Sequence, residues 1–403
     1  MRMFLEGIRV VELTEALAGP YAAMLLGDLG ADAIKVERPG IGDHSRTWGP
    51  PFVGPLSAYF LATNRNKRSI TLNYDHPTGS EILHRLIAQA DVFLCNQPSL
   101  ASLERRGIDP ASLRAKFPRL IYCSISGYGF TGPNAGRPGY DILAQAEAGV
   151  MSFTGEPASG PMRFPIAIAD MTTGIYATIG ILGALLARER TGQGDFLDLA
   201  LFDSQLTWLA NVGSSYLNSG VSPSRWGNAH PNIVPYQLFQ GGDGNCFVLA
   251  VGTQLQWQRL LRVLDLEATL GRDARFATNP DRIRNREVLI PLLQQRFSLH
   301  PTGSWIARLT QADIPAAAIH SVGEALQDRQ TQSRNLIVEI EHPSLLALRS
   351  IANPIRSATW PIVYRYAPPV LGEHNREILE QLGFRNSGLE TALREACAMA
   401  APS

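Results

Sequence analysis

The chain has 403 residues, more than one hydrophobic core usually organises, so two domains or one discontinuous pair are expected. Its composition, 45% hydrophobic and 18% charged, is that of an ordinary globular protein and excludes a disordered chain. Thirty-six basic residues balance 36 acidic ones, which speaks against binding nucleic acid or an anionic membrane through bulk charge, though not against a local basic pocket.

Residues 7–13 read as a strand. Gly19 and Pro20 then open a helix, with proline at a tolerated first-turn position and Gly27 and Gly30 marking its end. Further strands fit 33–37, 69–73, 91–95 and 120–125, separated by helical patterns at 78–89 and 110–117. Alternation at this spacing implies a parallel sheet with helices on its faces. A long apolar helix follows over about 171–190. Its uncharged run, 171–187, falls short of the roughly 20 residues that span a bilayer, so a buried helix is the better reading and no membrane is expected as a partner. A turn at 191–194 leads to a strand at 195–201.

Beyond this point the composition changes. Residues 213–245 are rich in Gly, Ser, Asn and Pro, as a linker or active-site loop would be. From 246 to about 322 a smaller α/β unit is expected, with a strand at 246–251, a helix at 254–264 and basic amphipathic helices through 280–312. An extended stretch at 337–370 leads to a helix at 375–382. Arg2, Glu6 and Arg9 interrupt the apolar residues near the start, leaving no secretory h-region. Cys95, Cys123, Cys246 and Cys397 have no CxxC spacing and read as reduced thiols, so a cytoplasmic location is expected.

Gly127, Gly129 and Gly132 match GxGxxG after a predicted strand, but Pro133, Gly136, Pro138 and Gly139 follow, and no helix can start through them. The match is a decoy for dinucleotide binding. It reads instead as a loop at the carboxyl end of a strand, where open α/β sheets bind ligands. Lys35, Arg38, Arg46, Lys67, Arg68, Arg105, Arg106 and Arg137 sit beside predicted strand ends. Each alone reads as a surface charge; together they could line one sheet edge and hold an anion with several phosphates. Asp170 stands where the run 165–169 meets the long helix, and aspartate is a favoured N-cap. That role is compatible with a catalytic one, because a helix N-terminus stabilises an ionised carboxylate, and such a group can be a covalent nucleophile. Arg225, Trp226 and His230 lie in a small-residue loop that is either a substrate loop or a structured linker. His230 has no partner at metal-ligand spacing, so no metal site is expected.

At these residues the chain resembles the class III coenzyme A transferases, the family of formyl-CoA transferase, carnitine CoA-transferase and α-methylacyl-CoA racemase. The resemblance rests on LEGIRVVE at 5–12, LGADAIKVERPG at 29–40, GDHSR at 42–46 with Trp48, and NRNKRSI at 64–70. It continues through SGYG at 126–129, Gly132 and Pro133, GYD at 139–141, the Asp170 segment, TGQG at 191–194 and LGEH at 371–374. It implies an α/β fold: a Rossmann-like large domain with a parallel sheet, a smaller α/β domain, and two subunits interlocked as a homodimer. The large domain would take 1–212, a linker and small domain 213–330, and 331–403 would return to the large domain.

Asp170 falls on the family's catalytic aspartate. Coenzyme A contacts fall on Leu17 and Ala18, Arg38, the stretch from Leu72 to Asp75, the stretch from Asn96 to Pro98, Arg105, and the stretch from Arg137 to Tyr140. Coenzyme A thioester is then the substrate, and no cofactor stays permanently bound. Formyl-CoA transferase has a glutamine where this chain has Leu17, and its glycine-tetrad loop is missing here, which points away from a formyl/oxalate pair. GPPF at 49–52, the motif at 64–66, and the block 225–237 with Arg225 and His230 look like the succinyl-CoA-dependent dicarboxylate branch. Trp48, Tyr59, Arg225 and His230 are the substrate candidates.

The resemblance therefore implies transfer of coenzyme A from succinyl-CoA to a small dicarboxylate such as malate, citramalate, glutarate, itaconate or mesaconate. The transfer would run through aspartyl anhydride and aspartyl-CoA intermediates. Two rivals remain. One is an acyl-CoA racemase, which in this fold places a histidine where this chain has Tyr140, a phenol whose pKa near about 10 makes it a poor α-proton base. The other is a noncatalytic acyl-CoA-binding protein, which would need no Asp170.

Overall fold

Short runs of β-branched and aliphatic residues set the central sheet. In the computed structural model, which describes residues 2–96, 99–343 and 345–397, they form β1 (Arg9–Leu13), β2 (Asp32–Glu37), β3 (Lys67–Thr71), β4 (Val92–Cys95), β5 (Ile121–Ser126) and β6 (Phe196–Ala200). Every neighbouring pair is parallel, and the spatial order is β3-β2-β1-β4-β5-β6. The register sets Val11 opposite Ile34 on one side and Phe93 on the other. This is the Rossmann order, with the reversal of direction falling between β1 and β4.

Residues alternate across the sheet, so β1 feeds two cores. Val11 and Leu13 join Ile34, Phe93 and Tyr122 on one face; Val10 joins Leu94, Ile121 and Cys123 on the other. Helix α1 (Ala18–Asp28) follows β1, and α2 (Pro77–Ala88) follows β3. Proline opens α2 at its first turn, and the His76 ring accepts the Thr78 N–H at 3.3 Å. Helices α3 (Leu100–Arg105) and α4 (Pro110–Lys116) lie between β4 and β5; α5 (Asp141–Glu147) and α6 (Ile168–Thr191) lie between β5 and β6. Helix α2 buries Ile82, Leu83, Leu86 and Ile87 in the first core, while α1 and α6 bring Ala22, Leu26, Ala177 and Ile181 into the second. Helix α6 ends at Gly192, whose φ of 72° is the left-handed C-cap that glycine adopts without strain.

Helix α6 is long and apolar enough to cross a membrane by length and composition alone. Its Ala169, Ala177, Ile181 and Leu185 are core residues, which accounts for that composition. It starts three residues before the expected position, and this changes the reading of Asp170. Ala167 precedes the helix and makes no side-chain cap, so Asp170 is the third helical residue and not the N-cap.

The chain divides into two compact units, one of Met1–Val150, Arg163–Asn218 and Gln332–Ser403, the other of Met151–Met162 and Ser219–Thr331. In the first, the helix Asn375–Gln381 lays Ile378 and Leu379 into the sheet's first core, and Asn375 accepts the Thr71 N–H at 2.8 Å. The segment expected as a linker is more ordered than its composition suggests, for it holds the end of the helix Ala210–Ser219 and the strand Tyr236–Gln240. In the second unit that strand pairs antiparallel with Cys246–Ala250, which pairs antiparallel with Ala316–Ala318. Its core is aromatic, built on Phe247, Trp257, Phe276, Phe297 and Trp305.

Candidate active site

Three parallel strands, β1, β4 and β5, stop beside one another, and an open cavity of about 880 Å³ lies at their carboxyl ends. Glu15–Leu17, Asn96 and Gly127 come from the loops that leave these strands, Ala18 from the start of α1 and Ser126 from the last position of β5. The cavity thus stands at the β1/β4 switch point, where the chain diverges to either side and leaves a crevice. Its wall is drawn wholly from the first unit.

The loop after β1 is held in an unusual shape. Ala16 has φ of 70°, a left-handed conformation that a side chain disfavours. Three hydrogen bonds hold it there: Glu15 N–H to Asn96 Oδ1 at 3.2 Å, Asn96 Nδ2 to the Glu15 carbonyl at 2.9 Å, and Ala16 N–H to Asp43 Oδ1 at 3.1 Å. Beneath lies a fully buried charge network. Glu12 Oε1 is 2.8 Å from Lys67 Nζ and 3.5 Å from Lys35 Nζ, and Lys35 reaches Asp43 Oδ2 at 2.9 Å. Lys35 also donates to the Thr14 carbonyl and Lys67 to the Pro20 carbonyl, so the network ties down both ends of the loop. Burial pushes the Lys67 ammonium down to about 8, with Glu12 opposing. Burial would raise the Asp43 carboxyl too, but Lys35 and Ser45 hold it at about 2.

Asp170 lies on the cavity wall at the first turn of α6. Burial and the neighbouring Asp141 push its carboxyl up to about 7, against the pull of the Ala18 N–H. The helix end that Asp170 does not cap is capped by Asp141, whose Oδ1 accepts the Ala169 N–H at 2.8 Å. Gln145 donates to Asp141 Oδ2 at 2.7 Å, and its Oε1 accepts the Phe164 N–H at 2.8 Å. Helices α1 and α6 approach closely at Gly174, where a Cβ would stand 2.7 Å from the Ala18 carbonyl oxygen. That contact sets the amino end of α1 beside Asp170.

Other walls carry Trp48 and Tyr59, packed edge to face with centroids 4.9 Å apart. Burial, Asp170 and Asp141 push the Tyr59 phenol up to about 12, so it is a neutral hydrogen-bond donor at ordinary pH. His44 Nε2 stands 3.2 Å from Glu15 Oε2, and Arg38 Nε donates to Tyr74 Oη at 3.2 Å. Tyr74 also borders a second cavity of about 440 Å³ with Asp75, Arg105 and Arg106. A third, of about 240 Å³, is lined by Tyr128, Gly129 and Arg137 among others.

Of the residues singled out by sequence, Leu17, Ala18, Arg38, Trp48, Tyr59, Asn96, Tyr140 and Asp170 share the main cavity. Asp75 and Arg105 line the second and Arg137 the third, where Arg137 pairs with Glu147 at 2.9 Å. Leu72 has its side chain wholly in the core. Gln97 and Pro98 lie outside the described residues. Arg225 and His230 belong to the second unit, where Arg225 Nη1 donates to the Ser152 carbonyl at 3.0 Å and His230 Nδ1 accepts the Asn232 N–H at 3.0 Å.

The basic edge expected of the sheet needs correction. Lys35 and Lys67 are buried in the charge network, Arg46 pairs with Glu37 at 2.7 Å, and Arg68 pairs with Asp32 and Glu377 at 2.8 Å. Arg38, Arg105, Arg106 and Arg137 alone of that group border cavities. The GxGxxG match is a loop crossing: a Cβ on Gly127 would lie 2.5 Å from Gly139 Cα, and no helix begins before Asp141.

Sequence reasoning missed Asp141 as a cap, together with Gln145, Glu15, His44 and Arg163. The i,i+4 spacing of Asp141 and Gln145 behind Pro138 and Gly139 was the available signal for the first pair; Arg163 carried none.

The model of CoA-transferase family III matches residues 5–375. The succinate–glutarate CoA-transferase of Agrobacterium fabrum is 42% identical over 94% of this chain and 95% of its own length. The succinyl-CoA:glutarate CoA-transferase of Mus musculus is 40% identical over 94% of this chain and 86% of its own. A solved CAIB/BAIF family protein from Brucella suis matches with a TM-score of 0.85 at 42% identity, covering 95% of this chain and all of that one. With a switch-point cavity, a carboxyl group at its wall and a family match running almost from end to end, this chain belongs to CoA-transferase family III and is a CoA-transferase that acts on coenzyme A thioesters.

Proposed function

We propose that the protein moves coenzyme A from succinyl-CoA to a small dicarboxylate, with glutarate the first acceptor to test, through covalent intermediates on Asp170. The observation that carries this reading is the placement of Asp170: a carboxyl group at a helix amino end, on the wall of the one crevice the strand order builds. The two glutarate-using relatives support the substrate pair.

The steps follow from the chemistry. An Asp170 oxygen attacks the thioester carbonyl of succinyl-CoA, the C–S bond breaks, and coenzyme A leaves as a thiolate. The thiolate attacks the aspartyl carbonyl of the resulting anhydride, releasing succinate and leaving an aspartyl-CoA thioester. The acceptor carboxylate attacks that thioester and expels the thiolate again. The thiolate then takes the acceptor's acyl carbon from the second anhydride and restores the Asp170 carboxylate. Water competes at each activated carbonyl, so the site must be enclosed while these intermediates last. The Ala18 N–H beside Asp170 and the neutral Tyr59 hydroxyl are the donors available for charge that develops on oxygen.

Arg38 and Arg105 are proposed to hold the phosphates of coenzyme A, one in the main cavity and one in the second, with Tyr74 bordering the second and bonded to Arg38. Leu17, Ala18, Asn96, Asp75, Arg137 and Tyr140 complete the proposed coenzyme A contacts, and Leu72 could contribute only main chain. A second copy of this chain is the proposed partner. Ile175, Ile179 and Leu186 of α6, with Trp208 and Leu217 beyond β6, are exposed apolar side chains that a second copy would cover.

An acceptor screen tests the function. Succinyl-CoA is offered with glutarate, malate, citramalate, itaconate or mesaconate, and product thioesters are read by mass. A new dicarboxylyl-CoA with release of succinate is expected. Hydrolysis alone, or α-proton exchange without transfer, would replace this reading with a thioesterase or a racemase.

A further inference from the structure

We infer that Arg163 receives the distal carboxylate of the diacid, and so selects dicarboxylates over monocarboxylates; the inference rests on the proposed succinyl-CoA:dicarboxylate transfer. A diacid that presents one carboxyl to Asp170 carries its second charge into a cavity that also holds Asp141 and Glu15. Beside those two carboxyl groups a further negative charge is disfavoured unless a cation meets it. Three cationic or titratable bases line this cavity: Arg38, His44 and Arg163. Arg38 is bonded to Tyr74 at 3.2 Å, and His44 stands 3.2 Å from Glu15. Arg163 makes no hydrogen bond or ion pair with any of the described residues, and its guanidinium is always charged and forks to fit a carboxylate.

Its position relative to Asp170 is built, not incidental. The residue after Arg163 is Phe164, whose N–H is held by Gln145 Oε1 at 2.8 Å and whose carbonyl accepts from Gln145 Nε2 at 3.3 Å. The residue before Asp170 is Ala169, whose N–H is held by Asp141 at 2.8 Å. Asp141 and Gln145 are bonded to each other at 2.7 Å, one turn apart on α5. One side-chain pair therefore anchors the backbone at both ends of the segment between the cation and the nucleophile, keeping the two residues on the same wall of the cavity. Such a pairing recognises a diacid of limited length. It also serves both half-reactions, because succinyl-CoA and the acceptor each bring a distal carboxylate to the same place.

The test compares wild type, Arg163→Met, Arg163→Glu and Arg225→Met with glutarate, pentanoate and 5-aminopentanoate as acceptors. In a ping-pong scheme kcat/KM for the acceptor reports only on the second half-reaction, so damage to donor use does not confuse the result. Arg163→Met is expected to lower kcat/KM for glutarate by about tenfold or more while changing that for pentanoate by less than about twofold. Arg163→Glu is expected to shift preference toward 5-aminopentanoate, which a merely structural role for Arg163 would not do. If wild type does not favour glutarate over pentanoate, the diacid reading itself fails. If wild type favours it, the inference is overturned by equal losses on both acids in Arg163→Met, by no loss, or by a selective loss that appears in Arg225→Met and not at Arg163.

Discussion

Asp170 is a carboxyl group in a site that resists its ionisation. Burial and Asp141 raise it to about 7, well above the unfolded value near 3.8. The folded state therefore holds this proton longer than the unfolded chain does, and stability falls as pH rises between those two values, with the full cost present above pH 7. Replacing Asp170 by Asn removes that cost. Denaturant titrations at pH 5 and pH 8 should show the Asn variant gaining on wild type by about 1–2 kcal/mol over that interval, after allowing for its partial exposure. The same variant should transfer coenzyme A at less than about a hundredth of the wild-type rate, roughly 2.7 kcal/mol of barrier. Asp141→Asn removes the negative neighbour, so the acid limb of kcat/KM for succinyl-CoA should lie at lower pH than in wild type. A limb that stays in place would mean that burial alone sets the Asp170 carboxyl.

At the scale of elements, the site depends on what anchors the loop after β1. Lys67→Met would leave Glu12, the Pro20 carbonyl and Asn64 Oδ1 without their shared donor. Breaking a buried pair in this way is expected to destabilise by about 3–5 kcal/mol in urea denaturation, and adding Glu12→Gln should recover part of the loss. A neutral result would show that the network does not hold the loop. This network also marks the limit of sequence reading. The strands around residues 10, 34 and 93 were legible because β-branched runs bounded by turn residues have one reading. Lys35 and Lys67 read as strand-end charges because nothing local tells a buried lysine from a solvated one; their partner Glu12 sits on another strand. From local sequence Asp170 reads first as an N-cap for a similar reason. The residue that does that work, Asp141, precedes Ala169 by 28 positions and reaches it only through the fold. Arg163 stood in a proline-flanked stretch with no periodicity to weigh.

For the whole molecule, the proposed coenzyme A site runs from the main cavity to Arg105 in the second, with Arg38 and its bond to Tyr74 between them. Arg38→Ala and Arg105→Ala should each weaken binding by about 1.5–3 kcal/mol in calorimetry. The loss should shrink with dephospho-coenzyme A for whichever arginine holds the 3′-phosphate. Light scattering should give twice the chain mass if the exposed apolar face of α6 meets a second copy. Asp170 is proposed to carry coenzyme A between two acids. The most direct measurement incubates the protein with succinyl-CoA and no acceptor, quenches in acid, and weighs the tryptic peptide 164–188 that contains Asp170. A mass gain of one coenzyme A less one water on that peptide, lost when glutarate is added and missing from Asp170→Asn, is the expected result. Steady transfer with that peptide unmodified at every time point, or with the adduct on another residue, would contradict it.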